Sequence, residues 1–108
     1  MSALSIAEVL EKAANLIEPE GKWTQGDLAV DANGDETWTA DPNSVCFCAE
    51  GAIMHVSFGQ PREPIFREFR HALGVDRIYE WNDAPGRTQA EVVAKLREAA
   101  ALAREQGK

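Results

Sequence analysis

Hydrophobic residues recur with the three- and four-residue spacing of an amphipathic α-helix in four stretches of the chain. The first stretch predicts a helix over residues 5–18, which opens with the S-x-x-E capping pattern of Ser5 and Glu8. The third predicts a helix over residues 62–73, and Gly74 is placed to end it in a left-handed conformation.

The second stretch predicts a central helix over residues 45–56, with Asp41 as its cap and Pro42 at its first position, or with an alternative start at Asn43 or Ser44. Six residues fall on its apolar face: Val45, Cys48, Ala49, Ala52, Ile53 and Val56. Gly51 lies inside this helix, where glycine costs about 1 kcal/mol relative to alanine. We therefore expect another segment of backbone to approach Gly51 closely.

The last helix opens at a second capping pattern, formed by Thr88 and Glu91. A favourable pair of Glu91 with Lys95 is expected on its surface. The connector that precedes it, residues 75–86, is predicted to hold a single helical turn at most.

Residues 22–41 lack helical periodicity. Asn33-Gly34 lies between two short β-compatible segments, a pattern typical of a tight hairpin turn. An isolated two-stranded ribbon is marginally stable, so apolar residues of this segment must pack on the helices. The candidates are Trp23, Leu28, Val30 or Trp38. The predicted fold is mainly α: one small four-helix domain over residues 1–108, with a short β-hairpin or ordered loop between helices 1 and 2.

Composition is that of a globular chain, with 44% hydrophobic and 27% charged residues. No apolar run approaches the roughly 20 residues that a membrane span needs. The N-terminal residues lack the basic start and apolar core of a signal peptide. We therefore expect a cytoplasmic location and no membrane partner.

The net charge of −7 is regional, because residues 18–50 carry eight acids and one base, Lys22. Direct nucleic-acid binding is disfavoured by this charge. Three interpretations remain: a solvated loop, a docking surface for a basic protein in which Asp31, Asp35 and Glu36 take part, or a surface that mimics nucleic acid. Three arginines of the third helix are expected to face the acidic region: Arg62, Arg67 and Arg70.

Metal and thiol chemistry have weak support in the sequence. On a helix, Cys46 and Cys48 would point about 200° apart, so neither a shared metal nor a disulfide is expected. A nucleophilic Cys48 would need a base from His55 or His71, and His55 is about 10 Å further along the predicted helix. We interpret Cys48 as a buried apolar residue and expect no cofactor.

Asp31, Asn33 and Asp35 imitate the start of a calcium-binding loop. The sixth position of such a loop is normally glycine and the twelfth a bidentate glutamate, whereas this chain has Glu36 and Pro42. A turn at Asn33-Gly34 explains the stretch better.

The most plausible functional patch combines Trp81, Asn82 and Asp83 with Arg87. Asp83 and Arg87 would fix each other, and Trp81 would form the floor of a pocket. The competing interpretation, which we favour, is that these residues anchor the core and organise turns.

A wider set of motifs is shared with a known family. It comprises Trp23, Gly26, Asp31, Gly34, the run Phe47-Cys48-Ala49-Glu50-Gly51-Ala52-Ile53, Trp81-Asn82-Asp83, Arg87-Thr88 and Val92. In these motifs the chain resembles short bacterial and phage proteins grouped as a domain of unknown function. The likeness runs from about Trp23 to Ala103. It implies a bacterial or phage context and supplies no activity, cofactor or catalytic residue.

The function that the sequence favours is a non-enzymatic protein-interaction module with a basic partner. One alternative is a small-molecule-binding domain or minor enzyme whose pocket brings together Trp81, Asp83, Arg87 and Cys48. Another is a phage anti-defence protein that mimics nucleic acid.

Overall fold

The computed structural model describes residues 3–108 and contains, within them, five helices and one two-stranded sheet. The elements in chain order are α1 (Ile6–Ile17), β1 (Ala29–Val30), β2 (Cys46–Phe47), α2 (Ala49–Val56), α3 (Glu63–Leu73), α4 (Ile78–Asn82) and α5 (Gln89–Glu105). The predicted mainly helical fold, with a small hairpin between the first two helices, is confirmed. The fifth helix is the connector α4, which is slightly longer than the single turn expected.

The core lies between α1 and α5, which pack along each other, with α2 and α3 closing it. Leu10, Ile17, Ile53, Phe69 and Leu96 are among its fully buried side chains. Burial of such side chains contributes about 1.5–3 kcal/mol each, which makes this layer the main source of stability.

Both predicted capping boxes form. The Glu8 amide donates to Ser5 Oγ at 3.1 Å, and the Ser5 amide donates to Glu8 Oε1 at 2.8 Å. Thr88 and Glu91 make the equivalent reciprocal bonds at the start of α5. The expected pair of Glu91 with Lys95 is replaced, because Glu91 lies 3.3 Å from Arg87, while Lys95 lies 2.9 Å from Glu98.

The turn at Asn33-Gly34 is present, with the Asp31 amide donating to the Asp35 carbonyl at 2.9 Å and Val30 bridging Glu36. Gly34 has φ +83°, a conformation that glycine adopts without strain. The two-stranded sheet itself pairs β1 with β2 in antiparallel register, Ala29 opposite Phe47.

The central helix is shorter than predicted. Residues 45–48 are not helical: Cys46 and Phe47 form β2, Cys48 is the N-cap, and α2 begins at Ala49. The helical periodicity of residues 45–56 was therefore misleading over its first four positions. Phe47, which did not belong to the predicted apolar face, is buried.

Long-range backbone hydrogen bonds explain the extended conformation. The Val45 amide donates to the Val30 carbonyl at 2.8 Å, and the Phe47 amide donates to the Lys22 carbonyl at 2.9 Å. The Thr24 amide donates in turn to the Phe47 carbonyl at 3.1 Å. Satisfying these groups on both edges of β2 replaces the intrahelical bonds that residues 45–48 would otherwise make.

Asp41 therefore caps a turn and not a helix. Its Oδ1 accepts the Asn43 amide at 2.8 Å, and its carbonyl accepts the Ser44 amide at 3.0 Å. Short acidic side chains that bond backbone two residues ahead favour such turns. Pro42 consequently lies in this turn, outside any helix.

Across residues 3–108, no helix combines the length and the apolar character required to cross a membrane.

Candidate functional site

Asn82 lies at the centre of the most connected polar cluster of the fold. Its side chain is fully buried at the end of α4. Oδ1 accepts Trp23 Nε1–H at 2.8 Å and the Ala49 amide at 3.0 Å. Nδ2 donates to the Thr24 carbonyl at 3.2 Å and to Asp83 Oδ1 at 2.9 Å. Both donors and both acceptor positions of the amide are thus used, which is what a buried asparagine requires.

Asp83 and Gln25 extend this cluster. The Gly26 amide donates to Asp83 Oδ1 at 3.0 Å, and Gln25 Nε2 donates to the carbonyls of Asn82 and Ala84 at 2.9 and 3.2 Å. Residues 23–26 are therefore joined to the end of α4 by hydrogen bonds from both sides. We call Trp23, Gln25, Asn82 and Asp83 the Asn82 cluster.

Trp81 and Arg87 form a separate contact on the other side of α4. The Arg87 guanidinium lies 4.3 Å from the centre of the Trp81 ring, and its Nε donates to the Trp81 carbonyl at 2.9 Å. The Trp81 ring meets Phe69 edge-on at 6.1 Å. Among the hydrogen bonds and ion pairs of residues 3–108, none joins Asp83 to Arg87. The expected mutual fixing of these two residues is thus replaced by stacking of Arg87 on Trp81.

A small cleft lies beside the Asn82 cluster, with a volume of about 230 Å³. Cys48, Glu50, Tyr79 and Asp83 contribute side chains to its wall. Of the four residues expected to converge in a pocket, Cys48 and Asp83 line this cleft; Trp81 and Arg87 do not. Ligand pockets usually span about 300–1,000 Å³, so this cleft is below the common range.

Burial raises the pKa of two groups in this cleft. It raises the pKa of the Cys48 thiol to about 11, although the Gly51 amide donates to Sγ at 3.2 Å and opposes the shift. Burial also raises the pKa of the Glu50 carboxyl, an effect that the charge of Arg70 partly offsets. A thiol that remains protonated at neutral pH is a poor nucleophile, which agrees with Cys48 acting as a buried cap of α2.

The two cysteines and two histidines are dispersed. The helical argument for the divergence of Cys46 from Cys48 does not hold, because both residues are extended. Cys46 Sγ donates to the Gly21 carbonyl at 2.8 Å, and both thiols are free. His55 Nδ1 lies 2.6 Å from the Thr39 carbonyl, while His71 is exposed on α3. Within the described residues, no group of three histidine, cysteine or acidic side chains is arranged to hold a metal ion.

The acidic residues of the hairpin region lie on one connected segment, residues 27–41, which we call the acidic loop. It contains five acids and no lysine or arginine. Asp31 Oδ1 accepts the amides of Asn33 and Asp35 at 2.9 and 3.0 Å and so shapes the turn. Asp35 and Glu36 are exposed.

The three arginines expected to face the acidic region, Arg62 at the start of α3 and Arg67 and Arg70 within it, form no ion pairs with the acidic loop among residues 3–108. Arg70 pairs with Glu63 on its own helix at 2.5 Å. In the part of the chain that the structure describes, no ion pair joins Arg62, Arg67 or Arg70 to residues 18–50.

Two exposed aromatic side chains meet at the edge of the acidic loop. Trp38 is 63% exposed and Phe58, just after α2, is 68% exposed. Their rings contact edge to face, with centroids 6.0 Å apart. They border a groove of about 470 Å³, which we call the aromatic groove, whose other principal side chains are Leu28, Met54, Gln60 and Arg62.

Residues 1–102 match the model of a family of unknown function, DUF6197. The chain belongs to this family. The resemblance to an uncharacterised domain family, first indicated by the Cys-Ala-x-Gly-Ala and Trp-Asn-Asp motifs, is thereby confirmed at the level of the family. No curated protein and no solved structure matches the chain.

The Asn82 cluster and the aromatic groove of this DUF6197 chain both lie inside the matched residues. The first was visible in sequence as a candidate, although its partners in residues 23–26 were not. The aromatic groove was not predicted, because the sequence led us to expect Trp38 among the residues that pack on the helices. The sequence did contain a signal for this groove. Trp38 follows the acidic turn at Asn33-Gly34, and Phe58 precedes Gly59, so both aromatic residues lie next to turn residues, where burial is not expected by default.

Proposed function

We propose that this protein is a non-enzymatic protein-interaction module that binds a basic partner in the cytoplasm through its acidic loop. The observation that carries the proposal concerns the five carboxylates of residues 27–41. They belong to Asp27, Asp31, Asp35, Glu36 and Asp41. Within residues 3–108, none of them forms an ion pair with a lysine, arginine or histidine.

Acids elsewhere in the chain are commonly compensated. Glu11 lies 2.8 Å from Arg97, and Glu18 lies 3.0 Å from the same guanidinium. Within residues 3–108, seven of the thirteen acids outside the acidic loop form an ion pair, whereas none of the five inside it does. A field of one sign attracts an oppositely charged protein and increases its association rate, and salt weakens this attraction.

The contacts of Asn82 and Arg87 favour an anchoring role for these residues over ligand binding. Asn82 uses all its hydrogen-bonding positions within the chain, and Arg87 is stacked on Trp81. A ligand that engaged these groups would have to displace existing bonds. The adjacent cleft of about 230 Å³ is small for a substrate. These features favour the interaction module over the small-molecule alternative.

A capture experiment with charge variants tests the proposal. The test variant is Asp35→Asn/Glu36→Gln, which avoids Asp31 because that side chain shapes the turn. The control is Asp76→Asn/Glu105→Gln, which removes the same charge from exposed positions outside the acidic loop. Tagged protein is incubated with a bacterial lysate at low and at physiological salt.

We expect a protein captured by the wild type to be lost at the higher salt and from the test variant, and to be retained by the control. Equal capture by all three proteins, or capture that is indifferent to salt, would contradict the role of the acidic loop. Displacement of the captured protein by duplex DNA would instead support mimicry of nucleic acid.

A further inference from the structure

We propose that the aromatic groove is the docking site for a large apolar side chain that belongs to a lysine- or arginine-rich segment of the partner protein. This inference rests on the proposed function and adds to it a site and the chemistry of its occupant. The site is formed by the contacting rings of Trp38 and Phe58, together with Leu28 and Met54 in the same groove lining.

Exposure of these rings points to an interface. Trp38 and Phe58 are the two most exposed of the large hydrophobic residues of the described chain. Tryptophan, phenylalanine, methionine and arginine are enriched in protein interfaces, and a few such side chains commonly dominate the binding energy. The groove combines all four residue types: Trp38, Phe58, Met54 and Arg62. Isolated exposed apolar residues need no explanation, but a contiguous set around a concave surface does.

The wall that carries Trp38 is held in place from two directions. The Trp38 carbonyl accepts the Asp41 amide and the Ser44 hydroxyl, each at 3.0 Å. The neighbouring Thr39 carbonyl lies 2.6 Å from His55 Nδ1, and a carbonyl oxygen can only accept, so His55 donates there. His55 thus connects this wall to α2.

Hydrogen bonds also hold the backbone next to Phe58. Ser57, which precedes Phe58, is fully buried, and its hydroxyl donates to the Ile53 carbonyl at 2.6 Å. On the far side, Gln60 exchanges hydrogen bonds with the backbone of Leu4, at 3.2 Å to the Leu4 amide and 3.1 Å to its carbonyl. Because hydrogen bonds hold the backbone beside both aromatic residues, little backbone ordering is needed when a partner binds, which favours affinity.

Charge decides the class of occupant. Leu28, Trp38 and Thr39 belong both to the groove and to the acidic loop, so an inserted side chain brings its neighbours next to the uncompensated carboxylates. Asp27 and Asp41 flank these lining residues in the chain. Arg62 brings one positive charge to the groove, but the acidic loop carries five carboxylates without an ion pair. An apolar anchor accompanied by lysine or arginine is therefore favoured over one in an acidic segment.

A display selection tests this inference. A random-peptide library is selected on the full-length wild type and then scored against Trp38→Ser and Phe58→Ser. Leu102→Ser, which removes an exposed apolar residue from α5, is the matched control. Urea unfolding of each variant checks that the fold is retained. We expect changes in the free energy of unfolding of about 0.5 kcal/mol or less, because all three positions are exposed.

We expect enriched peptides to contain one large apolar residue with at least two lysines or arginines close to it. Their binding should weaken tenfold or more in Trp38→Ser and Phe58→Ser and remain unchanged in Leu102→Ser.

Other outcomes separate this inference from the proposed function. Suppose that the selected peptides are basic, lack an apolar anchor, and bind the groove variants normally but not Asp35→Asn/Glu36→Gln. That result would overturn the aromatic groove as a docking site and leave the proposed function intact. Apolar peptides without basic residues, indifferent to the charge variant, would overturn the proposed function and the choice of occupant. A wild-type dimer in sedimentation that Phe58→Ser dissociates would show a second copy in the groove and also overturn the inference.

Discussion

The backbone carbonyl of Leu28 occupies the space in which a side chain at Gly51 would begin. A Cβ atom on Gly51 would lie 1.8 Å from the Leu28 oxygen. The same oxygen accepts the Cys48 amide at 3.2 Å, so it links the segment before β1 to the start of α2. The close backbone approach expected from a glycine inside this helix is confirmed.

Gly51→Ala is therefore expected to destabilise the protein by about 3 kcal/mol, because overpacking against backbone outweighs alanine's helix advantage of about 1 kcal/mol. The measurement is the free energy of unfolding in urea. Gly34→Ala is the control, because a Cβ atom at Gly34 would meet nothing within 4 Å. Only the positive φ of +83° disfavours alanine there, and we expect it to lower the free energy of unfolding by about 1–2 kcal/mol. A Gly51→Ala protein as stable as the wild type would contradict the close contact.

Asn82→Ala is expected to lower the free energy of unfolding by about 3–5 kcal/mol. It removes the acceptor of the Trp23 indole and of the Ala49 amide, and an unsatisfied buried donor costs about 1–3 kcal/mol. Asn82→Asp keeps an acceptor but loses the donor to Thr24 and places a second carboxylate beside Asp83. Thermal and urea unfolding should show both variants destabilised. A loss below about 1 kcal/mol for Asn82→Ala would show that the cluster does not join residues 23–26 to α4 energetically.

Cys48 predicts a pH dependence of stability at alkaline pH. Its pKa is raised to about 11 from an ordinary value of 9.0, so the unfolded thiol ionises first. The stabilisation is complete below pH 9 and is lost between about pH 9 and 11, by about 3 kcal/mol in total. Cys48→Ser keeps a side chain that can accept the Gly51 amide but does not titrate in this range.

The unfolding free energy of Cys48→Ser should therefore fall less steeply than that of the wild type over this interval. Cys46→Ser, which removes the other thiol and leaves Cys48 in place, is the matched control. Parallel curves for the wild type and Cys48→Ser would show that burial of the Cys48 thiol does not govern this loss.

The contribution of Glu50 to the pH dependence of stability is expected to be opposite in sign to that of an ion-paired carboxylate. Because burial raises the pKa of Glu50 in the folded protein, its ionised form destabilises the fold at neutral pH. Glu50→Gln should consequently be more stable than the wild type at pH 7. The difference should disappear once the pH falls below the ordinary glutamate value of 4.5, where both folded and unfolded wild type are protonated. Urea midpoints at pH 7 and pH 4 measure this, with Glu105→Gln as the matched substitution at an exposed position.

Local sequence patterns were sufficient to predict the start of α1, the start of α5 and the end of α3. The Ser5 and Thr88 capping boxes and the Gly74 terminus use only residues within one turn of each other, so they form as the sequence predicts. The Asn33-Gly34 turn depends equally on local geometry and was recognised for the same reason.

The sequence by itself thus determined where most helices lie, which glycine must meet backbone, and which stretch of the chain is acidic. Only the tertiary structure decided that Cys46 and Phe47 are extended, because their partners Lys22 and Val30 are distant in the chain. It likewise decided the bonds of Asn82 and the meeting of Trp38 with Phe58. Periodicity reports which side of an element is apolar, whereas long-range hydrogen bonds and surface neighbours depend on how the elements are placed together.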